Sequence, residues 1–449
     1  MLAQEESLTL DPAAGWALAG LAAVLLLVVG RELRQVPGKL LVLMAAAFLD
    51  MVGLFMVLPI LPFYVQQLGG DGVTLFGWRL GEGALTGLVV TSFTVAQLLS
   101  APWWGRFSDR FGRRPALMVA LTASSAAFLL FGFAESLSLL VLSRIVQGAG
   151  GGTVGVIQAY VADAVPPEQR AKALGWLSAA TNLGVAFGPV LGSAAIAFGR
   201  LDLSPADGEQ ALGRSAPGVL AAALCAINVL FAWRFLPESG ETKPAHKPAT
   251  TPGAAVRLVL AQPRLPASRL ILTYAFAIGA AQGVNPTLVL FLGARFGVTE
   301  HTIGWYFMYI GALSVLARTL LLGRAVDALG EARLSRVGIV LLAAGLAAIP
   351  ASGSLIGLAA ATALLPVGMA LTFPCVTALL SKVVPKDERG MYMGLQQTFG
   401  GVARLVAPLA YGLAYDHLGQ GAPFWLAGTI VFATLGLRAG GQLPVSTLR

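Results

Sequence analysis

Apolar runs long enough to cross a bilayer recur along nearly the whole 449-residue chain, separated by short polar turns. The pattern predicts twelve core helices, over 39–66, 84–104, 116–134, 137–160, 173–199 and 215–236, then 267–293, 301–322, 336–352, 354–380, 391–416 and 421–438. A backbone in lipid has to satisfy its own hydrogen bonds, so these runs read as helices, and the fold class is an all-α polytopic membrane protein. Between the sixth and seventh lies 237–266, rich in Pro, Thr and Lys, which is too polar to form a core and reads as a linker. Residues 1–14 carry Glu5, Glu6 and Asp11 and no Lys or Arg, and an apolar run over 15–30 is followed by Arg31-Glu32-Leu33-Arg34. That charge order predicts an outside N-terminus and one extra helix ahead of the core. At about 1.5 Å per residue the run spans only about 24 Å, so it needs residues 12–14 or a thin bilayer to cross. The alternative is a helix lying in the interface. The expected units are 1–38 (tail and extra helix), 39–236, 237–266, 267–438 and a tail over 439–449.

The most highly charged turn is Gly105-Arg106-Phe107-Ser108-Asp109-Arg110-Phe111-Gly112-Arg113-Arg114-Pro115, between the second and third core helices. A degraded copy, Gly323-Arg324-Ala325-Val326-Asp327-Ala328-Leu329-Gly330-Glu331-Ala332-Arg333, keeps both glycines, the first arginine and the aspartate at the same spacing. Pro167-Glu168-Gln169-Arg170 before Gly175 matches Lys386-Asp387-Glu388-Arg389 before Gly394, and Pro189 and Pro408 hold the same offset. The chain is therefore two copies of one six-helix membrane unit.

Composition narrows the function classes. Apolar residues make up 56% and charged residues 12%, and most of the 30 Lys and Arg residues fall in loops on one side of the predicted helices. The net charge of +8 thus orients the protein, with the basic loops cytoplasmic, and does not point to nucleic acid. Cys225 and Cys375 both fall inside spans, where they read as small apolar residues. His246, His301 and His417 are scattered, so no metal cluster is expected. No G-x-x-x-x-G-K-[ST] loop occurs, and Gly150-Gly151-Gly152 sits within a span. No enzyme, cofactor or ATP-driven pump is expected.

The charged turn resembles the signature between the second and third helices of the major facilitator superfamily. The flanking Ala101-Pro102-Trp103-Trp104 and the Arg-Arg-Pro ending are similar to its drug:proton antiporters of the tetracycline-efflux type. The resemblance covers about residues 39–438. It implies two six-helix bundles related by a pseudo-twofold axis, flanking a midplane site and working by alternating access. It also implies a multi-pass protein of the cell (inner) membrane, monomeric in the bilayer, handling protons and a small amphipathic substrate, with the proton gradient as energy source. Gly105 and Gly112 permit a tight turn, and Asp109 can cap a helix or pair with an arginine. By resemblance, Asp109 meets the free N–H groups of the helix start near Gly390–Met393 when the cytoplasmic side is closed. Arg113 is expected to reach Asp163, and Gly323, Asp327, Gly330 and Arg333 to do a weaker version of the same from the second half.

Asp50 lies mid-span in the first core helix, before Gly53 and a Pro59-Ile60-Leu61-Pro62 ending. A carboxylate there costs several kcal/mol unless it is paired, hydrated or protonated. It is the candidate proton site; the alternative is a structural hydrogen bond between helices. Arg144 resembles the arginine of the family's fourth-helix R-x-x-Q-G motif, associated with proton transfer, and is the expected partner of Asp50; a purely structural ion pair is the alternative. Gln147, Gly151, Gly155 and Gln158 fall on one helical face, expected to line protein or an aqueous cavity. Gly175, Gly184, Gly188-Pro189 and Gly192 in the fifth helix look like the antiporter signature G-x8-G-x3-G-P-x2-G-G, with Ser193 in place of its last glycine. A generic small-residue packing helix is the alternative. Gln97, Asn182, Gln282, Asn285, Gln397 and Arg404 are the remaining cavity candidates, while Arg318 reads as a snorkelling side chain near a helix end. Arg404 is mid-span with no buried acid in its half. Its possible partners are an anionic substrate, Asp50 or backbone carbonyls.

Three functions follow. The first is proton-coupled export of a small amphipathic compound. The second is transport of organic anions or lysolipids, with or without coupling, served by Arg404 and Arg144 facing one cavity. The third is a non-transporting receptor or assembly partner, which would rely on residues 1–35.

Overall fold

The structure, a computed structural model, describes residues 38–439 except 71, 76–77, 152, 166, 200–214, 237–251 and 386–387. The expected extra helix over 15–30 lies outside the described residues. The first half runs α1 (Gly38–Val57), α2 (Leu61–Gly69), a hairpin of β1 (Val73–Leu75) and β2 (Trp78–Leu80), α3 (Glu82–Phe111), α4 (Arg113–Gly132), α5 (Leu137–Gly150), α6 (Thr153–Ala164), α7 (Pro167–Gly199) and α8 (Ala216–Phe235). After the linker come α9 (Pro252–Ala261), α10 (Pro266–Gly283), α11 (Asn285–Phe296), α12 (Ile303–Leu316), α13 (Leu322–Ala348), α14 (Leu355–Val383), α15 (Arg389–Leu418) and α16 (Ala422–Ala439). A π-helical turn, Ala317–Leu321, joins α12 to α13.

Nine helical runs among the described residues are long and apolar enough to cross a membrane. One of them, Ile303–Ala348, is 46 residues long and turns at Gly330, so it holds two crossings. Helix α15 has the length for another, 30 residues, but polar positions such as Gln396, Gln397 and Arg404 dilute its hydropathy. Helix α16 adds 18 residues. The expected twelve core helices are thus present.

Several boundaries differ from the sequence pattern, each for a local reason. The run over 39–66 is two helices, interrupted at Leu58–Ile60 ahead of Pro62. The run over 267–293 breaks at Val284, because Pro286 cannot donate to the preceding turn. The run over 137–160 breaks at Gly151, within three consecutive glycines of low helix propensity. The linker is not wholly without a core, since α9 forms within it and Val259 is fully buried among Leu270, Ile271, Leu380 and Leu395.

Each half builds its own core. In the first, Val52, Met56, Phe128, Phe131 and Cys225 close one end, and Leu43, Ala47, Leu117, Ile157 and Leu177 the other. In the second, Ala277, Ala281, Leu342, Leu346 and Phe424 form the largest cluster.

The halves meet at the end opposite the basic loops and part at the basic end. At the joined end, Gly412 packs directly on the Gly83 backbone, and a Cβ at Gly304 would lie 2.6 Å from the Pro189 carbonyl oxygen. Only residues without side chains allow helices from two bundles this close. At the basic end, a Cβ added to Gly105, Gly175, Gly323, Gly390 or Gly394 would meet nothing within 4 Å. A cleft therefore opens between the halves on that side.

Candidate transport site

The first-half wall of the cleft is built on packing of α7 against α1. Gly184 and Gly188 let α7 approach so closely that Cβ atoms there would lie 2.6 Å from Met51 Cβ and 2.8 Å from the Val52 carbonyl oxygen. Gly192 continues the stripe against Met56, whereas Gly175 lies beyond it in open space. Beside this seam is a recess of about 180 Å³ lined by Ala47, Met51, Ile157, Gln158, Leu177, Ser178, Thr181 and Val185. Asn182 borders it, half-buried, donating to the Ser178 carbonyl at 2.7 Å.

Asp50 sits behind this wall, only 6% exposed, and accepts the Thr153 hydroxyl at 2.7 Å. The structure does not bring it to Arg144. Thr153 marks the level of Asp50, and Arg144 lies nine residues earlier in the same crossing, about 13 Å further along the helix. Arg144 is 2% exposed, lies 4.9 Å from the centroid of the Phe131 ring, and its Nε donates to Ser143 at 3.3 Å. Its Nη2 is buried with no hydrogen-bond partner. It therefore does not face the cleft, contrary to the expectation of two arginines in one cavity.

The expected polar face of the fourth core helix is likewise split by the break at Gly151. Gln147 is buried, with Oε1 unbonded, while Gly155 and Gln158 are exposed. Gln97 donates to the Gly151 carbonyl at 3.4 Å and so braces the break.

The second-half wall carries Gln282, exposed, and Asn285, half-buried, on either side of the break before Pro286. On α15, Leu405 faces α3, where its carbonyl accepts from Thr91 at 3.0 Å, while Ala403 and Ala407 pack on Gly279 and Gly283 of α10. At about 100° per residue, Arg404 points into the wedge between those two faces. Gln397, seven residues earlier, shares that direction, is exposed, and donates to the Tyr274 hydroxyl at 3.4 Å. Half-buried Arg404 makes no ion pair or hydrogen bond among the described residues. The Nε of Arg318 is buried with no hydrogen-bond partner among the described residues, and the residue as a whole is half-buried. It lies in the π-helical turn, two heptads after Gly304.

The signature turn adopts the backbone its glycine requires: Gly112 has φ 99°, and its copy Gly330 has φ 71°. Gly105 and Gly323, by contrast, lie within helices. Arg113 donates to Asp109 and to Ser108, both at 2.7 Å, and Asp109 is 64% exposed. The side chain of Asp163, the other expected partner of Arg113, lies outside those described. Asp109 does not reach the start of α15 in this conformation, where Gly390 and Gly394 face open space. In the second copy, Asp327 and Arg333 are exposed, and the charge contact is instead Glu331 with Lys382 of α14 at 2.5 Å.

At the joined end are two contacts the sequence reading missed. The N-cap of α3 is Gly81, which has no side chain to cap with. Asp416 of the second half supplies the cap, accepting from the Gly83 and Ala84 N–H groups at 2.9 Å each. Reciprocally, Ser193 of the first half accepts from the Gly304 N–H of α12 at 3.0 Å and donates to the Glu300 carbonyl at 2.8 Å. Each half thus caps the second core helix of the other. Ser193 was flagged only as a departure from the glycine pattern, and an acid in the last turn of α15 was the available signal for Asp416.

A family model described as Major Facilitator Superfamily matches residues 43–281 and 270–440. The tetracycline resistance protein, class B, of Escherichia coli is 26% identical over 384 residues, covering 84% of this chain and 88% of that protein. The crystal structure of the human organic anion transporter MFSD10 (TETRAN) superposes with a TM-score of 0.65 at 23% identity, covering 90% of this chain and 100% of that one. An inward-facing, unoccupied bacterial homolog of the human lysosomal transporter Spinster gives a TM-score of 0.69 at 17% identity, covering 89% and 94%. With two matched halves, twelve core helices and a cleft between the bundles, the chain belongs to the Major Facilitator Superfamily of membrane transporters.

Proposed function

We propose that the protein exports a small amphipathic compound from the cytoplasm by alternating access, driven by proton entry. The basic loops face the cytoplasm in this reading, so the conformation described is open inward. The observation that carries the proposal is Asp50: a carboxyl group sealed inside the first bundle, one helix face behind the cleft, held by a single hydroxyl. No cation is bonded to it among the described residues. Its helix is the one on which α7 packs through glycines, so any shift of α7 against α1 changes the surroundings of the carboxyl. Reversal of the cleft would hydrate Asp50 from the outside or bring it toward Arg144, and either event alters its hold on a proton. When substrate and proton each disfavour the other's bound state, the gradient of one drives the other. The tetracycline resistance relative is named for resistance, which accords with export.

The test uses the full chain in proteoliposomes with an imposed pH gradient. Asp50→Asn, which mimics the protonated form, is expected to keep substrate binding and downhill exchange but to lose uphill, gradient-driven accumulation. Full accumulation by this variant would remove Asp50 from the coupling step.

A further inference from the structure

We infer that the second-half wall of the cleft holds an anionic group of the substrate, with Arg404 as its principal contact and Arg318 deeper toward the basic end. The inference rests on the transport reading above and names the substrate's charge, which that reading leaves open.

Two guanidiniums stand on this wall without a partner among the described residues. Arg404 is mid-span, half-buried, unbonded, and directed between α3 and α10. Arg318 has its Nε buried and unbonded. The two helices that carry the closed seam set Arg318 at the depth of the cleft. Helix α12 runs antiparallel to α7, Gly304 meets Pro189 and Ser193, and Gly311 meets Ala186. Seven residues further, Arg318 falls level with Ser178 and Asn182, beside the recess on the first-half wall. Arg404 stands about 12 Å below the Gly412–Gly83 seam by helix rise, within about two turns of the same depth.

Among the described residues, no acid of the second half is paired with these charges. Among the described acids, Glu300 lies in a loop, Glu388 at the start of α15, Asp327 and Glu331 beside the kink at Gly330, and Asp416 in the last turn of α15. Asp416, the one on Arg404's own helix, is twelve residues or about 18 Å away and is engaged by the α3 N-terminus. Glu331 is held by Lys382. Asp50 is behind the opposite wall with Thr153. An unpaired cation within a span is costly and marks a substrate path. A guanidinium presents a fork matched to a carboxylate, sulfonate or phosphate. Gln397 on Arg404's face and the hydroxyls of Ser178 and Thr181 across the cleft add neutral polar contacts, and Met51, Leu177 and Val185 supply the apolar surface for the rest of the molecule. The ligand is therefore an organic anion with an apolar body.

The test compares three probes of equal size on the purified full chain by calorimetry: 1-naphthaleneacetate, its neutral methyl ester and the cationic 1-naphthylethylamine. The carboxylate should bind about tenfold tighter than either, the scale of one charge-assisted contact. Arg404→Gln should abolish that preference, Arg318→Gln should reduce it severalfold, and Arg404→Lys should retain part of it. Lysophosphatidylglycerol competing for the Arg404-dependent site would support the same subsite and identify a lipid as the source of the anion. Equal or tighter binding of the amine or ester by the unaltered protein overturns the inference, whatever the variants do. So does unchanged carboxylate preference in a folded Arg404→Gln protein. Failure here and failure of coupling are separable: proton-driven flux of the amine lost in Asp50→Asn but indifferent to Arg404 sinks only the anion subsite.

Discussion

The two reciprocal caps at the joined end should set how strongly the protein favours the conformation described. Asp416→Ala removes a carboxylate that accepts two backbone N–H groups at 2.9 Å each and complements the positive end of α3. A cap of this kind is worth about 1 kcal/mol, and charge at a helix N-terminus adds about as much, so the closed end should lose about 2 kcal/mol. That is about thirtyfold in the ratio of the two conformations. Ser193→Ala removes one donated and one accepted bond between neutral groups, about 1 kcal/mol net, or about fivefold. The caps lie on different helix pairs, so the double variant should show the product of the two effects. Spin labels at Thr74 and Gln420, both exposed near this end, would report the change as a shift from short to long distances. Cys225 and Cys375 are buried and leave the labelling chemistry free. Asp416→Asn, which keeps one acceptor oxygen, should fall between the parent and the alanine variant. A distance distribution in Asp416→Ala unchanged to within threefold would refute the reasoning.

Two further outcomes follow from the same geometry. Asp109→Asn should impair transport and raise the share of molecules open at the basic end, with expression unchanged because Asp109 is mostly exposed in that state; distance measurements across the basic end, with transport rates, check this. Gly304→Val should destabilise closure far more than Ser193→Ala, since its Cβ would already sit 2.6 Å from the Pro189 carbonyl oxygen; normal closure by the same Thr74–Gln420 measurement would contradict the close-approach argument.

The parts of this architecture that could be read in the sequence are those a bilayer dictates residue by residue. Span positions follow from hydropathy, and the twofold repeat follows from glycines whose positive φ no other residue adopts easily, as at Gly112 and Gly330. Depth in the membrane was also legible: Asp50 and Arg404 are both mid-span. Partners were not. Whether Asp50 meets Arg144 depends on helix rotation and on the break at Gly151, and neither leaves a periodic trace. The Asp416 cap was harder still, because its donor at Gly83 is 333 residues away and belongs to the other half. For Arg318 the sequence shows nearness to a helix end but not the π-helical turn that carries it.

The two copies of the signature turn keep one backbone and have parted in chemistry. In the first, the acid is four residues before its arginine, solvent-exposed, and bonded to that arginine alone among the described residues. Such a contact can be surrendered at little cost and re-formed with another helix. In the second, the working charges are Glu331 and Lys382, which join neighbouring helices of a single bundle and move together whenever that bundle moves. A bond within one moving body cannot report or resist the motion of that body against another. The two copies are therefore not equivalent: the first holds an exposed contact that can be exchanged between helices, and the second braces two helices of one bundle.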